Sequence, residues 1–240
     1  MLKAVLFDLD GTLLPMDGDQ FIDRYFTLLS DEMSKHGYDR KAFMDAILKA
    51  LAAETVNDGS RTNEEVFWDV FTSVFGEGSR KDNVHFDLFY RNEFQTVKGV
   101  CDPSPKAKEI VDLLNGRGVK VILATNPFFP KVATESRIRW AGLKPEDFIL
   151  WTTFEDIGYS KPNPEYYLEI MRMTGLDPKD CMMVGNDVDE DIIAAESAGM
   201  RTFLVDTNMI NRNGRDIGRY RKGDLGDLLI FLRGELSDRP

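Results

Sequence analysis

A short apolar run near the start of the chain, Val5-Leu6-Phe7, ends on a pair of acids in Asp8-Leu9-Asp10-Gly11-Thr12. Three β-favouring residues followed closely by a turn glycine predict a buried strand that delivers Asp8 and Asp10 to its C-terminal end. In open α/β sheets, ligands bind in the crevice beyond the carboxyl ends of the strands. Alternation points both side chains the same way for as long as the strand persists. Two carboxylates so close repel unless a cation or a shared proton lies between them. The pair therefore asks for a metal ion, although a solvated turn with two surface acids has the same composition.

The rest of the chain says what surrounds that strand. From Gly18 to Phe94 the pattern is helical. Phe21, Tyr25, Leu28 and Leu29 make one apolar face with Gly37 as a stop, and Phe43, Ile47, Ala50 and Leu51 make a second from about Arg40. After a polar loop, Asn57 to Asn63, Thr62 and Glu65 form a capping box. It opens a third helix, with Val66, Phe67, Val70, Phe71 and Val74 predicted as its buried stripe. A fourth helix is predicted from about Asp82 to Phe94. Most of the chain's 16 phenylalanines lie in this stretch, enough for a helical core of its own.

Beyond Gly99, helices and short apolar strands alternate. Ser104-Pro105 starts a helix, Val119 to Ala124 is a strand, and a helix runs from Pro130 to Gly142. Phe148 to Trp151 is a short strand, and Asn163-Pro164 starts a helix that stops at Gly175. Met182 to Val184 is a strand, Ile192 to Ala198 a helix, and Arg201 to Val205 a final strand. Such alternation predicts right-handed crossovers and a parallel sheet covered on both faces. The expected architecture is α/β, a doubly wound parallel sheet from residues 1–15 and 98–240, interrupted by an all-α insertion over residues 16–97.

Composition narrows the function. A formal charge of −11 argues against broad nucleic-acid or anionic-membrane binding. No apolar run is long enough to span a bilayer, and Asp8 interrupts any signal-peptide core. Cys101 and Cys181 have no metal-type spacing, and Cys181 falls in an apolar strand as a packed free thiol. A cytoplasmic protein fits these features.

Three further polar groups fall at predicted strand ends: Thr125-Asn126, Lys161 before Pro162, and the acidic run Asp187-Val188-Asp189-Glu190-Asp191. Each alone has a plain reading, as a turn cap, a loop lysine and a helix N-terminal acidic face. Together, in this order, the sequence resembles the haloacid dehalogenase-like hydrolase superfamily over essentially its whole length. The helical insertion resembles that family's type 1 cap.

The resemblance implies a Mg²⁺-dependent phosphatase acting on a small phosphorylated metabolite. Asp8 would attack phosphorus to form an aspartyl-phosphate. Asp10 would protonate the leaving alcohol and then deprotonate water. Asp8, the Asp10 carbonyl and Asp187 would hold Mg²⁺. The Thr125 hydroxyl and the Asn126 N–H would hold phosphate oxygens, Lys161 would face the transferring group, and Asp191 would orient Lys161 or a metal-bound water. Many relatives carry an acid where this chain has Asn186, which leaves Asn186 and Asp189 as substitutes for Asp187.

Dehalogenases and phosphonate-cleaving members lack an acid at the Asp10 position, and an ester leaving group needs its proton. A phosphomutase using the same intermediate is the nearest alternative, and a receiver-like phospho-switch a more distant one. For substrate recognition the sequence offers Arg61 in the loop Asn57 to Asn63, Phe128 and Phe129 after Thr125, and the cluster Arg212, Arg215, Arg219 and Arg221. The plain alternatives are a solvated loop, core packing and a solvated face. His36 and His85 are expected at the surface.

Overall fold

The computed structural model describes residues 2–237. Its strands are β1 (Ala4–Phe7), β2 (Lys120–Leu123), β3 (Leu150–Trp151), β4 (Cys181–Gly185), β5 (Arg201–Val205) and β6 (Lys222–Gly223). All pair in parallel, in the order β3-β2-β1-β4-β5-β6. This is a Rossmann-like α/β sheet whose strand order reverses between β1 and β4, the place where such sheets bind ligands.

Side-chain alternation on β1 explains why it is apolar throughout. Val5 and Phe7 pack into the core on one face, together with Ile110 and Leu114, while Ala4 and Leu6 pack on the other with Tyr166 and Ile170. The flanking helices are α1 (Gly18–Lys35), α2 (Arg40–Thr55), α3 (Asn63–Phe75), α4 (Asn83–Arg91), α5 (Pro105–Gly116), α6 (Lys131–Trp140), α7 (Pro164–Thr174), α8 (Ala194–Ser197) and α9 (Leu225–Glu235). Local chemistry sets several ends. Thr62 and Glu65 make the expected capping box on α3, Ser104 and Asn163 cap α5 and α7 ahead of a proline, and Gly175 ends α7 in the left-handed conformation.

The structure departs from the sequence reading in instructive places. The fourth helix is broken at Asn92, and residues 93–100 form a tighter 3₁₀ turn instead. On α3 the buried positions are Asn63, Val66, Trp68, Phe71 and Thr72, while Val74 is exposed. The indole of Trp68 covers more apolar surface than either valine, so it sets the helix rotation. The helix expected at Ile192 is preceded by a wide π turn over Val188–Ile193. β3 starts two residues later than expected, and β6 and α9 follow the strand expected to be last. The aromatic residues of α1–α4 do not form a separate core. Phe94 meets Trp140 on α6 (5.0 Å between ring centroids) and Tyr25 meets Phe129 (5.1 Å), so the cluster is continuous with one face of the sheet. His36 and His85 stack on each other at 3.6 Å on the helical segment, His36 exposed and His85 half-buried. Cys101 and Cys181 are free thiols, and Cys181 is buried as expected. No described helix is long and apolar enough to cross a membrane.

Candidate active site

Asp8 follows β1 directly, and its N–H donates to the Val184 carbonyl on β4 (2.9 Å). That bond fixes the residue at the point where the strand order reverses. Because β1 ends at Phe7, alternation does not carry on to Asp10. The chain turns instead, with Gly11 at φ +84° and the Thr12 and Leu14 N–H groups both donating to the Leu9 carbonyl. A side chain at Gly11 would collide with the Asn186 amide, so the turn needs glycine for both space and φ. Asp8 and Asp10 consequently meet different cations, Lys161 and Arg137.

Lys161 is the centre of the arrangement. Its ammonium donates to Asp8 Oδ1 (2.8 Å) and Asp191 Oδ1 (2.6 Å), and the residue is only 2% exposed. Asn126 Oδ1 accepts from the Lys161 backbone N–H (3.1 Å), and the other end of that amide donates to Glu190 (3.0 Å). The Asn126 side chain thus positions the lysine, a contact the sequence reading did not include. Burial works to lower the Lys161 pKa, but the charges of Asp191 and Asp8 outweigh it and hold the ammonium protonated. Burial likewise pushes Asp191 upward against the pull of Lys161. The short double contact favours the ionised pair.

The acidic run after β4 is wired into the same cluster. Asp191 Oδ2 accepts from the Asp187 N–H (3.0 Å), and a side chain at Gly185 would strike the Asp191 carboxylate. Asp187 Oδ1 accepts from the N–H groups of Asp189 and Glu190 (both 2.9 Å), so this acid also caps the turn that follows it. Its Oδ2 accepts from Arg212 (2.8 Å), which therefore reaches in from a face expected to be solvated. Of the proposed substitutes, Asp189 is engaged by Arg215 and Asn213. Asn186 accepts from Thr12 (3.0 Å) and donates to the Asn208 carbonyl (2.7 Å).

Thr125 is buried at the end of β2, with its carbonyl accepting from Thr152 (2.6 Å) and Tyr166 (2.8 Å). The Tyr166 ring centroid lies 5.9 Å from the Lys161 ammonium, so the tyrosine that bonds the Thr125 carbonyl also neighbours the lysine. Phe128 and Phe129 wall a cavity of about 430 Å³, and Phe129 also packs on the core. Arg61 turns outward to pair with Asp69, as a solvated loop residue would.

Sequence reasoning missed Arg137. It is fully buried on α6, pairs with Asp10 Oδ2, donates to Thr134 (3.2 Å), and stacks its guanidinium 4.1 Å from the Phe129 ring centroid. Its place on the helix face of Ala133, Trp140 and Ala141 is the one signal for it, since an arginine on a helix otherwise reads as solvated. Burial raises the Asp10 pKa, Arg137 opposes this, and the Asp8 charge adds to the rise. An acid held upward in this way is suited to donating a proton. Arg137→Met is expected to destabilise the fold by about 3 kcal/mol, because Asp10 is left without its counter-charge. A shift in denaturant midpoint reads it, and an unchanged midpoint contradicts the pairing.

The donor set fits a hard cation. Asp8, Asp10, Asp187, Glu190 and Asp191 outnumber Lys161, Arg137 and Arg212, and the exposed Arg212 stands as a cation on Asp187 Oδ2. Among the described residues no three His, Cys, Asp or Glu side chains gather as a metal cage. Mg²⁺ does not need one, since it binds through one or two carboxylates and keeps several waters.

Residues 2–199 match the haloacid dehalogenase-like hydrolase family. The chain belongs to that family. It is 24% identical over 240 residues to a glyceraldehyde 3-phosphate phosphatase from Methanothermobacter thermautotrophicus, covering 90% of this chain and 94% of the relative. A second glyceraldehyde 3-phosphate phosphatase, from Methanopyrus kandleri, is 27% identical, with 99% and 100% covered. Among solved structures, a HAD phosphatase from Thermococcus onnurineus superposes with a TM-score of 0.60 at 24% identity, each chain covered in full. A 2-haloacid dehalogenase from Pseudomonas syringae gives 0.62 at 17% identity, covering 98% and 100%. These two likenesses speak for the fold, and the family match for a hydrolase.

Proposed function

We propose that this chain is a Mg²⁺-dependent phosphatase of small phosphorylated metabolites, working through an aspartyl-phosphate on Asp8. The contact of one buried lysine with both Asp8 and Asp191 carries the reading. It sets a fixed cation beside a carboxylate at the ligand-binding edge of the sheet, where a transferring phosphoryl group needs positive charge. Asp8 Oδ1 is tied to the lysine, which aims its carboxylate and leaves the other oxygen for attack. Asp10, held by Arg137, donates a proton to the departing alcohol and then takes one from the attacking water. Thr125 and the Asn126 N–H hold phosphate oxygens. Asp8, Asp187 and the Asp10 carbonyl would hold the metal, which when bound supplies charge neutralisation for the phosphate.

An acid at Asp10 favours an ester over a halide leaving group, because only the alkoxide needs a proton. The named activities of the relatives, phosphatases of glyceraldehyde 3-phosphate and of ribulose-1,5-bisphosphate, support a small sugar-like ester as substrate. On this reading residues 16–97 act as a cap over the core formed by residues 1–15 and 98–240, in a cytoplasmic enzyme. Phosphate release should be measured for the purified protein across phosphorylated metabolites. Turnover with Mg²⁺ that stops on chelation and returns on adding the metal back is expected. No turnover, or turnover indifferent to the chelator, contradicts the proposal.

A further inference from the structure

The loop from Asn57 to Asn63, between α2 and α3, ends in a buried polar side chain that the chemistry above does not use. Asn63 is fully buried. Its amide donates to the Pro127 carbonyl (3.1 Å) and to the Ser160 hydroxyl (3.0 Å), and its Oδ1 accepts from Asn57 (2.8 Å). Both amide hydrogens are therefore taken up outside the helical segment, and the oxygen within its own loop. Ser160 is fully buried too, and its hydroxyl donates to the Glu54 carbonyl at the end of α2 (3.0 Å). Glu54 is wholly buried and its carboxyl has no hydrogen-bond partner, so it is the carbonyl that joins it to Ser160. Buried polar groups are costly unless matched, and a network matched in this way fixes one arrangement.

What the network holds is the pair of loops around the phosphate site. Pro127 follows Asn126, and Ser160 precedes Lys161. Those loops already share one bond, from the Lys161 N–H to Asn126 Oδ1 (3.1 Å). The Asn63 amide spans the same two loops one residue further along on each side, and does so from the helical segment. The backbone is seated just as closely. The Asn63 and Glu64 N–H groups donate to the carbonyls of Ile157 (2.9 Å) and Phe154 (2.8 Å). A side chain at Gly158 would strike Gly59 and the Arg61 carbonyl, and one at Gly59 would strike the Tyr159 ring. The two segments meet where there is no room for a Cβ, and the one beneath leads directly into the lysine.

We propose that Asn63 is a positioning residue for Lys161, and through it for phosphoryl transfer. The proposal rests on the phosphatase reading and says how that site is aligned. Asp8 and Asp191 hold the lysine's ammonium, Asn126 its N–H, and Asn63 the residue before it. That last hold exists only while the helical segment is seated, so seating the segment and setting the fixed cation are one event. A group displaced by about 1 Å through a change far from the chemistry can lose about 10²-fold in rate. The loss falls on the transition state more than on substrate binding, because developing charge has to be met at a fixed point there.

The test measures kcat, KM and inhibition by vanadate, with p-nitrophenyl phosphate and Mg²⁺, in the wild type, Asn63→Ala, Ser160→Ala and Thr62→Ala, with a thermal melt of each. Vanadate takes the five-coordinate shape of the transferring group and so reports on the transition state. Thr62→Ala is the control, since it removes the cap of α3 one residue away and none of the bonds of the Asn63 side chain. In Asn63→Ala kcat is expected to fall about 10²-fold, with KM within about threefold and vanadate weakened by nearly the factor lost in kcat. Ser160→Ala keeps the Asn63 bond to Pro127 and should lose about tenfold in the same pattern. Thr62→Ala should melt a few degrees lower and keep kcat within about twofold. Wild-type kcat in Asn63→Ala, a rise in KM that accounts for the loss, unaltered vanadate inhibition, or a fall in kcat in Thr62→Ala in step with its midpoint overturns the proposal. If Asn63→Ala does not fold, the same outcomes in Ser160→Ala decide it. Failure of the wild type to hydrolyse the ester would instead remove the phosphatase reading beneath it.

Discussion

Asp8→Asn is expected to abolish phosphate release, by on the order of 10⁵-fold or more, while the protein stays folded. The amide has the shape of the acid and still offers an oxygen to the Lys161 ammonium, so the contact now at 2.8 Å can persist. The N–H bond to Val184 belongs to the backbone and is untouched. Loss of one negative charge from a crowded acidic cluster also offsets part of the weakened ion pair. An amide cannot attack phosphorus as a carboxylate does, so chemistry and stability separate. Phosphate release from an aryl phosphate and a thermal melt measure the two. Near-wild-type turnover would remove Asp8 from its role.

Lys161→Met should damage both properties. Asp8 and Asp191 would be left buried without their shared cation, and breaking a buried pair by removing one partner costs about 3–5 kcal/mol. For a chain of this size that corresponds to a fall in melting midpoint on the order of 10 °C. Turnover should drop by on the order of 10³-fold, since the fixed charge facing the transferring group is gone. The contrast with Asp8→Asn is informative because both residues share one contact. A methionine variant that melts like the wild type would show that the lysine does not counter the two acids.

Much of this was legible in the sequence because it rests on local chemistry. A buried strand on which Ala4 and Leu6 face one layer while Val5 and Phe7 face the other must be apolar throughout, and so it reads as a run. The capping box at Thr62 and the left-handed Gly175 are signals confined to a few residues. Asp8 and Asp187 stand out because each falls just beyond a strand, whereas Lys161 lies well past β3 and Asp191 within the following turn, so these two came through the family resemblance, and the contacts that join the four were not readable. Two residues escaped for the opposite reason, and Arg212 was offered only within a basic cluster for anion recognition. Arg137, Arg212 and Glu54 take their meaning from partners, or from a missing partner, far along the chain, and in sequence each looks like an ordinary solvated helix or loop residue. The two-residue β6, polar at Lys222, makes no apolar run and is set only by its pairing with Leu204 and Val205.

The most direct test of the account is chemical trapping of the phosphorylated carboxylate. The enzyme is mixed with excess aryl phosphate and Mg²⁺, quenched in acid during turnover, reduced with borohydride and digested for mass spectrometry. Reduction of an aspartyl-phosphate gives homoserine, so homoserine at position 8, and none at position 10, is the predicted result. Homoserine at another acid, or an unmodified Asp8 under conditions where phosphate is being released, would contradict it.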